Sequence, residues 1–429
     1  MAARLQLALD FVNLQQALRV AREAVEGGVE LLEAGTPLVK CEGLEAVRAL
    51  RREFPKQSIV ADLKTMDAGR MEMEAAAKAG ATIATVLGVA SDATIRECVE
   101  AGRNYGVQIQ ADLIGVPDPA ARARRLEELG ASIVGVHCPI DEQMAGRDPF
   151  ERLRQVREAV SVTLAVAGGI NSETAADAVA AGADIVVVGG AIAKAEDARA
   201  AAAAIRRAMV EGVRIETALF KRGGSEERVR ELLRQVSTPN LSDALHRSGE
   251  LPGLLPISPG FHLAGPAVTV RTYPGDWAKP VEAIDHCREG DVIVIDAGGV
   301  PPAVWGELAT ESCLQRKVAG VVIHGAIRDV DSIRRLQFPA FARHITPTAW
   351  EPKGFGEINQ PIRIENVEVA PGDWIVGDDS GVVRVPRSRA VEVANRAMDV
   401  LERENRLRTE IRGARTLSEI TELLRWERK

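Results

Sequence analysis

Apolar, β-branched segments recur through the first half of this chain, at 5–9, 29–32, 58–61, 82–87, 107–113, 133–136, 163–166 and 185–188. Stretches rich in Ala, Glu and Arg separate them, with apolar residues at helical spacing, as in 14–26 and 151–159. Eight strand signals alternating with helical ones over about 200 residues fit a closed (β/α)8 TIM barrel better than an open sheet. Past a helical run at 198–209 the alternation stops. Gly212 follows, then a charged stretch ending in Lys221-Arg222-Gly223-Gly224-Ser225.

The pattern therefore predicts an α/β class throughout, with a barrel over 1–210, a linker over 211–225 and a second α/β domain over 226–429. That second domain is expected to open on a helical run at 226–235 and to carry strands at 267–271, 291–296, 320–324, 374–376 and 382–385. The turn signals Pro371-Gly372-Asp373 and Asp378-Asp379-Ser380-Gly381 make the last two a hairpin. A long amphipathic helix at 390–408 is expected to pack on a neighbouring subunit or along the domain surface.

Composition narrows the class of molecule. At 429 residues the chain exceeds one ordinary domain. It is 46% hydrophobic, yet no apolar run approaches membrane-span length, so no membrane partner is expected. A net charge of −7 argues against broad nucleic-acid affinity. Five scattered cysteines without a C-x-x-C, and a start that leads straight into a strand, point to reduced thiols in a cytoplasm.

Candidate chemistry gathers at the ends of the barrel strands. Asp62-Leu63-Lys64-Thr65-Met66-Asp67 closes the third apolar run, and strand alternation turns Asp62 and Lys64 to the same side. Burying such charges is costly unless they pair or bind a metal. The other strand ends carry Asp10, Glu33, Gly88, Asp112, His137, Gly168-Gly169 and Gly189-Gly190. Barrel active sites occupy that face. Glu33 and Asp62 are hard oxygen ligands suited to Mg²⁺ (or Mn²⁺), and His137 suits proton transfer near neutral pH. Glycine pairs after the seventh and eighth strands let backbone N–H groups close around a phosphate.

The barrel half resembles the orotidine-monophosphate decarboxylase superfamily, and within it the 3-hexulose-6-phosphate synthase branch. The likeness covers about 4–209 and rests on Ala8-Leu9-Asp10, Glu33-Ala34-Gly35-Thr36-Pro37, Ala61-Asp62-Leu63-Lys64-Thr65-Met66-Asp67-Ala68-Gly69 and Ala111-Asp112-Leu113-Ile114-Gly115. It continues through Val136-His137, Asp141-Glu142-Gln143, Ala167-Gly168-Gly169-Ile170 and Val188-Gly189-Gly190-Ala191-Ile192, with Cys138-Pro139 standing where Thr-Gly is usual. The resemblance implies a Mg-dependent aldol condensation of formaldehyde with ribulose 5-phosphate, or its reverse, through an enediolate. Glu33 and Asp62 would hold the metal. Asp10, Lys64, Asp67 and His137 would be catalytic, with Asp67 reaching into a neighbouring site of a dimer. Asp112 and the two glycine pairs would bind substrate. The alternative within the superfamily is a 3-keto-gulonate-6-phosphate decarboxylase.

The second half resembles the RraA-like aldolase family over 236–390. The likeness rests on Leu241-Ser242-Asp243-Ala244-Leu245, Gly265-Pro266-Ala267-Val268-Thr269, Trp305-Gly306-Glu307-Leu308-Ala309, His324-Gly325-Ala326-Ile327-Arg328-Asp329 and Gly377-Asp378-Asp379-Ser380-Gly381-Val382. Twenty residues separate Glu307 from Arg328-Asp329, as the family's acidic-x20-Arg-Asp pattern requires, although Ser332 stands where the extended pattern has an acid. The resemblance implies Asp329 as metal ligand, Arg328 as oxyanion partner, and Glu307 and Leu308 in a turn whose amides face a 2-oxo acid. Its alternative is a noncatalytic binding or assembly module. Both families imply homo-oligomers: dimers through the barrel, trimers or hexamers through the second domain.

Overall fold

The computed structural model describes residues 2–217, 221–413 and 415–421. Eight parallel strands close into a barrel in sequence order: β1 (Arg4–Leu9), β2 (Leu31–Ala34), β3 (Ser58–Thr65), β4 (Ile83–Leu87), β5 (Gln108–Asp112), β6 (Ile133–His137), β7 (Thr163–Ala167) and β8 (Ile185–Val188). β8 pairs back onto β1, completing the expected ring. Alternate residues point inward, where Ala8, Leu31, Val60, Ile83, Ile133, Ala165, Ile185 and Val187 form an inner core. The other face of each strand packs against the helices, in a larger core that includes Leu5, Leu7, Ile59, Val86, Val134 and Val186. Burial on both faces is why these strands read as unbroken apolar runs. Polar N-caps fix several helix starts: Asn13 accepts from Gln16 N, Ser91 from Thr94 N, Asp118 from Ala121 N and Asp197 from Ala200 N.

Several barrel strands extend beyond their apolar runs, β2 and β3 most notably. β2 begins and ends later than expected, so Glu33 lies within it. β3 continues through Asp62 and Lys64 to Thr65, with an irregularity in its pairing with β4 between Ala61 and Thr65. Charged residues close both strands because their side chains face the barrel mouth, where polar partners await them.

The second domain is a mixed sheet. Its strands are β9 (Leu255–Pro256), β10 (Leu263–Arg271), β11 (Val292–Asp296), β12 (Gly320–Ile327), β13 (Ala340–Ile345), β14 (Glu357–Ile358), β15 (Ile362–Ile364), β16 (Val367–Val369), β17 (Trp374–Asp378) and β18 (Gly381–Val385). The main order is β18-β17-β10-β11-β12-β13-β9, with β10 to β13 parallel and the expected hairpin β17–β18 at one edge. β14 joins on β10, and β15–β16 form a separate pair.

The domain limits differ from the sequence expectation at the C-terminus. Contacts divide the chain into Met1–Arg222 with Glu402–Lys429, and Gly223–Leu401. The long helix runs Ala390–Arg412, and its residues from Glu402 onward belong with the barrel rather than with the second domain. The physical reason is a buried charged stripe at helical spacing, Glu402, Arg406 and Glu410, which finds its partners there. Among the described residues, no helix is long and apolar enough to cross a membrane.

Candidate active sites

At the C-terminal mouth of the barrel, four side chains from β3, β5 and β6 form a continuous polar chain. Lys64 Nζ donates to Asp62 Oδ2 at 2.6 Å and stands 3.6 Å from Asp112 Oδ2. His137 Nδ1 lies 3.0 Å from the same Asp112 oxygen. A proton held on Nδ1 by that carboxylate makes Nε2 the basic nitrogen of the ring. Lys64 has φ +48°, a left-handed conformation costing roughly 1–2 kcal/mol in a residue with a Cβ. Strain tolerated at a charged residue in a buried cluster is a mark of function.

Asp62 is held from both sides. Thr36 Oγ1 donates to its Oδ2, and Thr85 Oγ1 donates to Oδ1 at 2.8 Å. Glu33 accepts from Gln6 Nε2. Asp10 completes the group: Gly35 packs so tightly on it that an added Cβ would lie 2.2 Å from Asp10 Oδ1, and Gly189 approaches its other oxygen. Burial, with the Asp62 and Asp10 charges adding to it, pushes the Glu33 carboxyl well above its usual range. Burial and Asp62 raise Asp10 in the same direction. Burial works against the Lys64 charge, but Asp62 and Asp112 outweigh it and raise its pKa. Burial likewise opposes the Asp112 charge, and the His137 hydrogen bond with the His137 and Lys64 charges holds Asp112 below the ordinary carboxylate range.

This donor set fits a hard divalent cation. Three crowded carboxylates, two of them with raised pKa, are what a +2 charge relieves, and Gln6 Oε1 is buried beside them without a hydrogen-bond partner. Among the described residues no three His, Cys, Asp or Glu side chains converge as a closed metal cage. Two carboxylates, Glu33 and Asp62, with water and substrate oxygens completing the shell, match the habit of Mg²⁺.

The remaining barrel residues divide. Gly168 has φ +118° and packs on the Cys138 carbonyl, while Gly169, φ +69°, lies against Gln143. Gly189 and Gly190 open the short helix Gly190–Ala193 above β8. Asp67 is exposed, its Oδ1 accepting from Ala68 N, and it stands outside the polar chain. Gln6, Thr36 and Thr85 escaped the sequence reading as site residues. Gln6 and Thr85 had a signal, since each is a polar residue at an inward position of an apolar strand.

Glu33 carries a stability cost that can be measured. Its folded pKa exceeds the unfolded value, so the folded state binds the extra proton, and stability falls as pH rises from the unfolded pKa towards the raised one. Glu33→Gln keeps the contact with Gln6 and removes the charge. In the absence of divalent cations its Tm is expected to exceed wild type at pH 8, by about 2–4 °C for each kcal/mol relieved. The gain should vanish near pH 4, below both pKa values. An equal or lower Tm at pH 8 would contradict the crowding argument.

In the second domain, Arg328 and Asp329 follow β12. Arg328 Nε stands 3.5 Å from Asp329 Oδ2, and Glu307 N donates to that oxygen at 3.2 Å. Asp329 takes φ +55°, and a Cβ on Gly306 would lie 2.4 Å from Asp329 Oδ2, so the Gly306-Glu307 turn requires its glycine. The structure thus joins Arg328, Asp329 and the backbone of Glu307, at the start of the helix Glu307–Gln315. Leu308 is 80% exposed, and its side chain is not part of the cluster. Ser332 accepts from Arg335, and Asp331 is exposed beside Arg334. A dyad not singled out in the sequence lies nearby along β12. His324 Nδ1 is 3.0 Å from Asp296 Oδ1, and that bond raises its pKa.

The model of the orotidine 5′-phosphate decarboxylase / HUMPS family matches residues 3–205, and an RraA-like model, described as Aldolase/RraA, matches 238–384. A 3-hexulose-6-phosphate synthase of Methylomonas aminofaciens is 45% identical over 201 residues, 47% of this chain and 96% of that protein. The chain belongs to the orotidine 5′-phosphate decarboxylase / HUMPS family. A Bacillus subtilis 3-hexulose-6-phosphate synthase is 40% identical over 209 residues, 48% of this chain and 99% of its own length. A solved structure of the Salmonella typhimurium 3-hexulose-6-phosphate synthase superposes with TM-score 0.48 at 38% identity, covering 49% of this chain and 99% of that one. Such relatives within the HUMPS family indicate a carbon–carbon lyase of the aldolase type. The RraA-like half is a second domain that these synthases lack.

Proposed function

We propose that the barrel joins formaldehyde to ribulose 5-phosphate, giving a 3-hexulose 6-phosphate, or runs the reverse cleavage. The observation that carries this reading is the chain Asp62–Lys64–Asp112–His137 on one rim, in a barrel 45% identical to a synthase along nearly its whole length.

The chemistry requires a proton to leave C1 of the ketose, an enediolate to form over C1 and C2, and C1 to attack the formaldehyde carbon. His137, oriented by Asp112, takes or returns the proton at its Nε2. Lys64, kept charged by Asp62 and Asp112, places an ammonium against the developing oxyanion. Mg²⁺ held by Glu33 and Asp62 would supply Lewis-acid stabilisation of the same charge. The glycine pairs after β7 and β8 receive the phosphate through backbone N–H groups. For the second domain we propose cleavage of a 4-hydroxy-2-oxo acid, or decarboxylation of oxaloacetate, at Arg328 and Asp329. The protein would act in the cytoplasm as a homo-oligomer.

The test incubates the full chain with ribulose 5-phosphate, formaldehyde and Mg²⁺. Formaldehyde consumption, dependent on the ketose phosphate and lost on chelation, is the expected outcome. CO₂ release from 3-keto-gulonate 6-phosphate with no formaldehyde uptake would replace the synthase with the decarboxylase.

A further inference from the structure

From Glu402 onward the buried residues of the C-terminal helix are charged, and one of them, Arg406, reaches a connector of the barrel. Arg406 is 6% exposed and forks onto Glu23 of the first barrel helix, Nη1 to Oε2 at 2.9 Å and Nη2 to Oε1 at 2.8 Å. The same Nη1 donates to the carbonyls of Ala195 and Glu196, each at 3.3 Å. Glu23 Oε2 in turn accepts from Ala198 N at 3.3 Å. Arg406 and Glu23 together therefore grip both ends of 195–198, the segment leaving the helix Gly190–Ala193. Glu410 backs the guanidinium at Nε and is itself held by Arg19 and Arg415. One turn earlier on the helix, buried Glu402 pairs with Arg222.

The relatives do without this prop. They are matched over 96% and 99% of their own lengths by 201 and 209 residues of this chain, so they hold no counterpart of residues 402–412. A buried guanidinium is costly unless fully paired, and here, besides Glu23 and Glu410, its Nη1 donates to the backbone carbonyls of Ala195 and Glu196, a few residues downstream of Gly189-Gly190.

We propose that Arg406 is a positioning residue for the barrel reaction: from beyond the second domain, it fixes the connector 195–198 and so the glycine turn that receives the substrate phosphate. The inference rests on the phosphate reading of Gly189-Gly190. It makes the C-terminal helix a functional part of the barrel, so that the barrel's grip on sugar phosphate depends on how that helix is seated.

The test uses the full chain. Arg406→Ala is expected to raise KM for ribulose 5-phosphate by about tenfold, with kcat within about twofold and KM for formaldehyde unchanged. Arg406→Lys, which keeps a charge for Glu23 but neither the two-nitrogen fork onto its carboxylate nor the Nη1 bonds to the two carbonyls, should fall between wild type and Ala. Glu402→Gln should lower Tm without moving KM. Calorimetric binding of ribulose 5-phosphate, independent of turnover, should weaken in the same order. Unchanged KM and binding in both Arg406 variants would overturn the proposal, as would an equal KM rise in Glu402→Gln, which would mark a general effect of loosening the helix. If the wild-type chain binds ribulose 5-phosphate but shows no synthase activity, the functional reading fails while the binding series still decides the role of Arg406. If wild type does not bind it at all, both fall.

Discussion

Replacing Lys64 with Met is expected to remove synthase turnover by about 10³–10⁴-fold while leaving the barrel folded. The Lys64 ammonium stands against both Asp62 and Asp112, and the enediolate would form beside it. Loss of its charge removes stabilisation of the oxyanion and leaves two buried carboxylates facing one another. The stability cost should be limited, because Thr36 and Thr85 still hold Asp62. Circular dichroism and kcat measured on one preparation separate the two effects. Asp67→Ala should be similarly inactive, although Asp67 is exposed and its Oδ1 accepts from Ala68 N. If Asp67 serves a neighbouring subunit, mixing the two dead variants under subunit exchange restores turnover at sites that draw Lys64 from one chain and Asp67 from the other. Retention of more than a tenth of wild-type kcat by Lys64→Met would refute its role, and failure of the mixture to recover activity would refute the shared site.

In the second domain, Arg328→Ala is expected to lower pyruvate release from oxaloacetate or a 4-hydroxy-2-oxo acid by about 10²–10³-fold in the presence of Mg²⁺. A guanidinium facing a carboxylate and an enolate oxygen gives short, charge-assisted hydrogen bonds that alanine cannot replace. The fold should tolerate the change, since the Arg328 side chain is 46% exposed and its ion pair with Asp329 is 3.5 Å long. Structurally such a pair is worth little. A large kinetic effect with an unchanged Tm is therefore the signature of a site. If neither wild type nor variant exceeds the rate of the metal alone, while the full chain assembles as wild type does, the domain is a binding or assembly module.

The barrel could be read from the sequence because a closed parallel sheet imposes a repeating demand. Each strand is buried on both faces, so apolar runs such as 185–188 stand out from the helices between them. The rim residues were legible for the same reason in reverse, since a charge such as Asp62 or Asp112 at the end of an apolar run has few reasons to be there apart from chemistry. The Glu307 to Arg328-Asp329 spacing was legible through family pattern, and the fold brings those residues together by a glycine turn.

What the sequence could not settle were contacts between residues far apart along the chain. Gln6 on Glu33 and Thr85 on Asp62 are polar residues in apolar strands, but only barrel closure says which carboxylate each one meets. The left-handed Lys64 depends on a strand irregularity with no glycine to announce it. The clearest case is the last helix. Its amphipathic pattern was plain, and its domain membership was not, because helical periodicity records which face is buried and not what covers it. Glu402, Arg406 and Glu410 look like an ordinary solvated stripe in sequence. Their partners Arg222, Glu23 and Arg19 lie about 180 to 390 positions away along the chain, and the cost of burying unpaired charge is what fixes that docking.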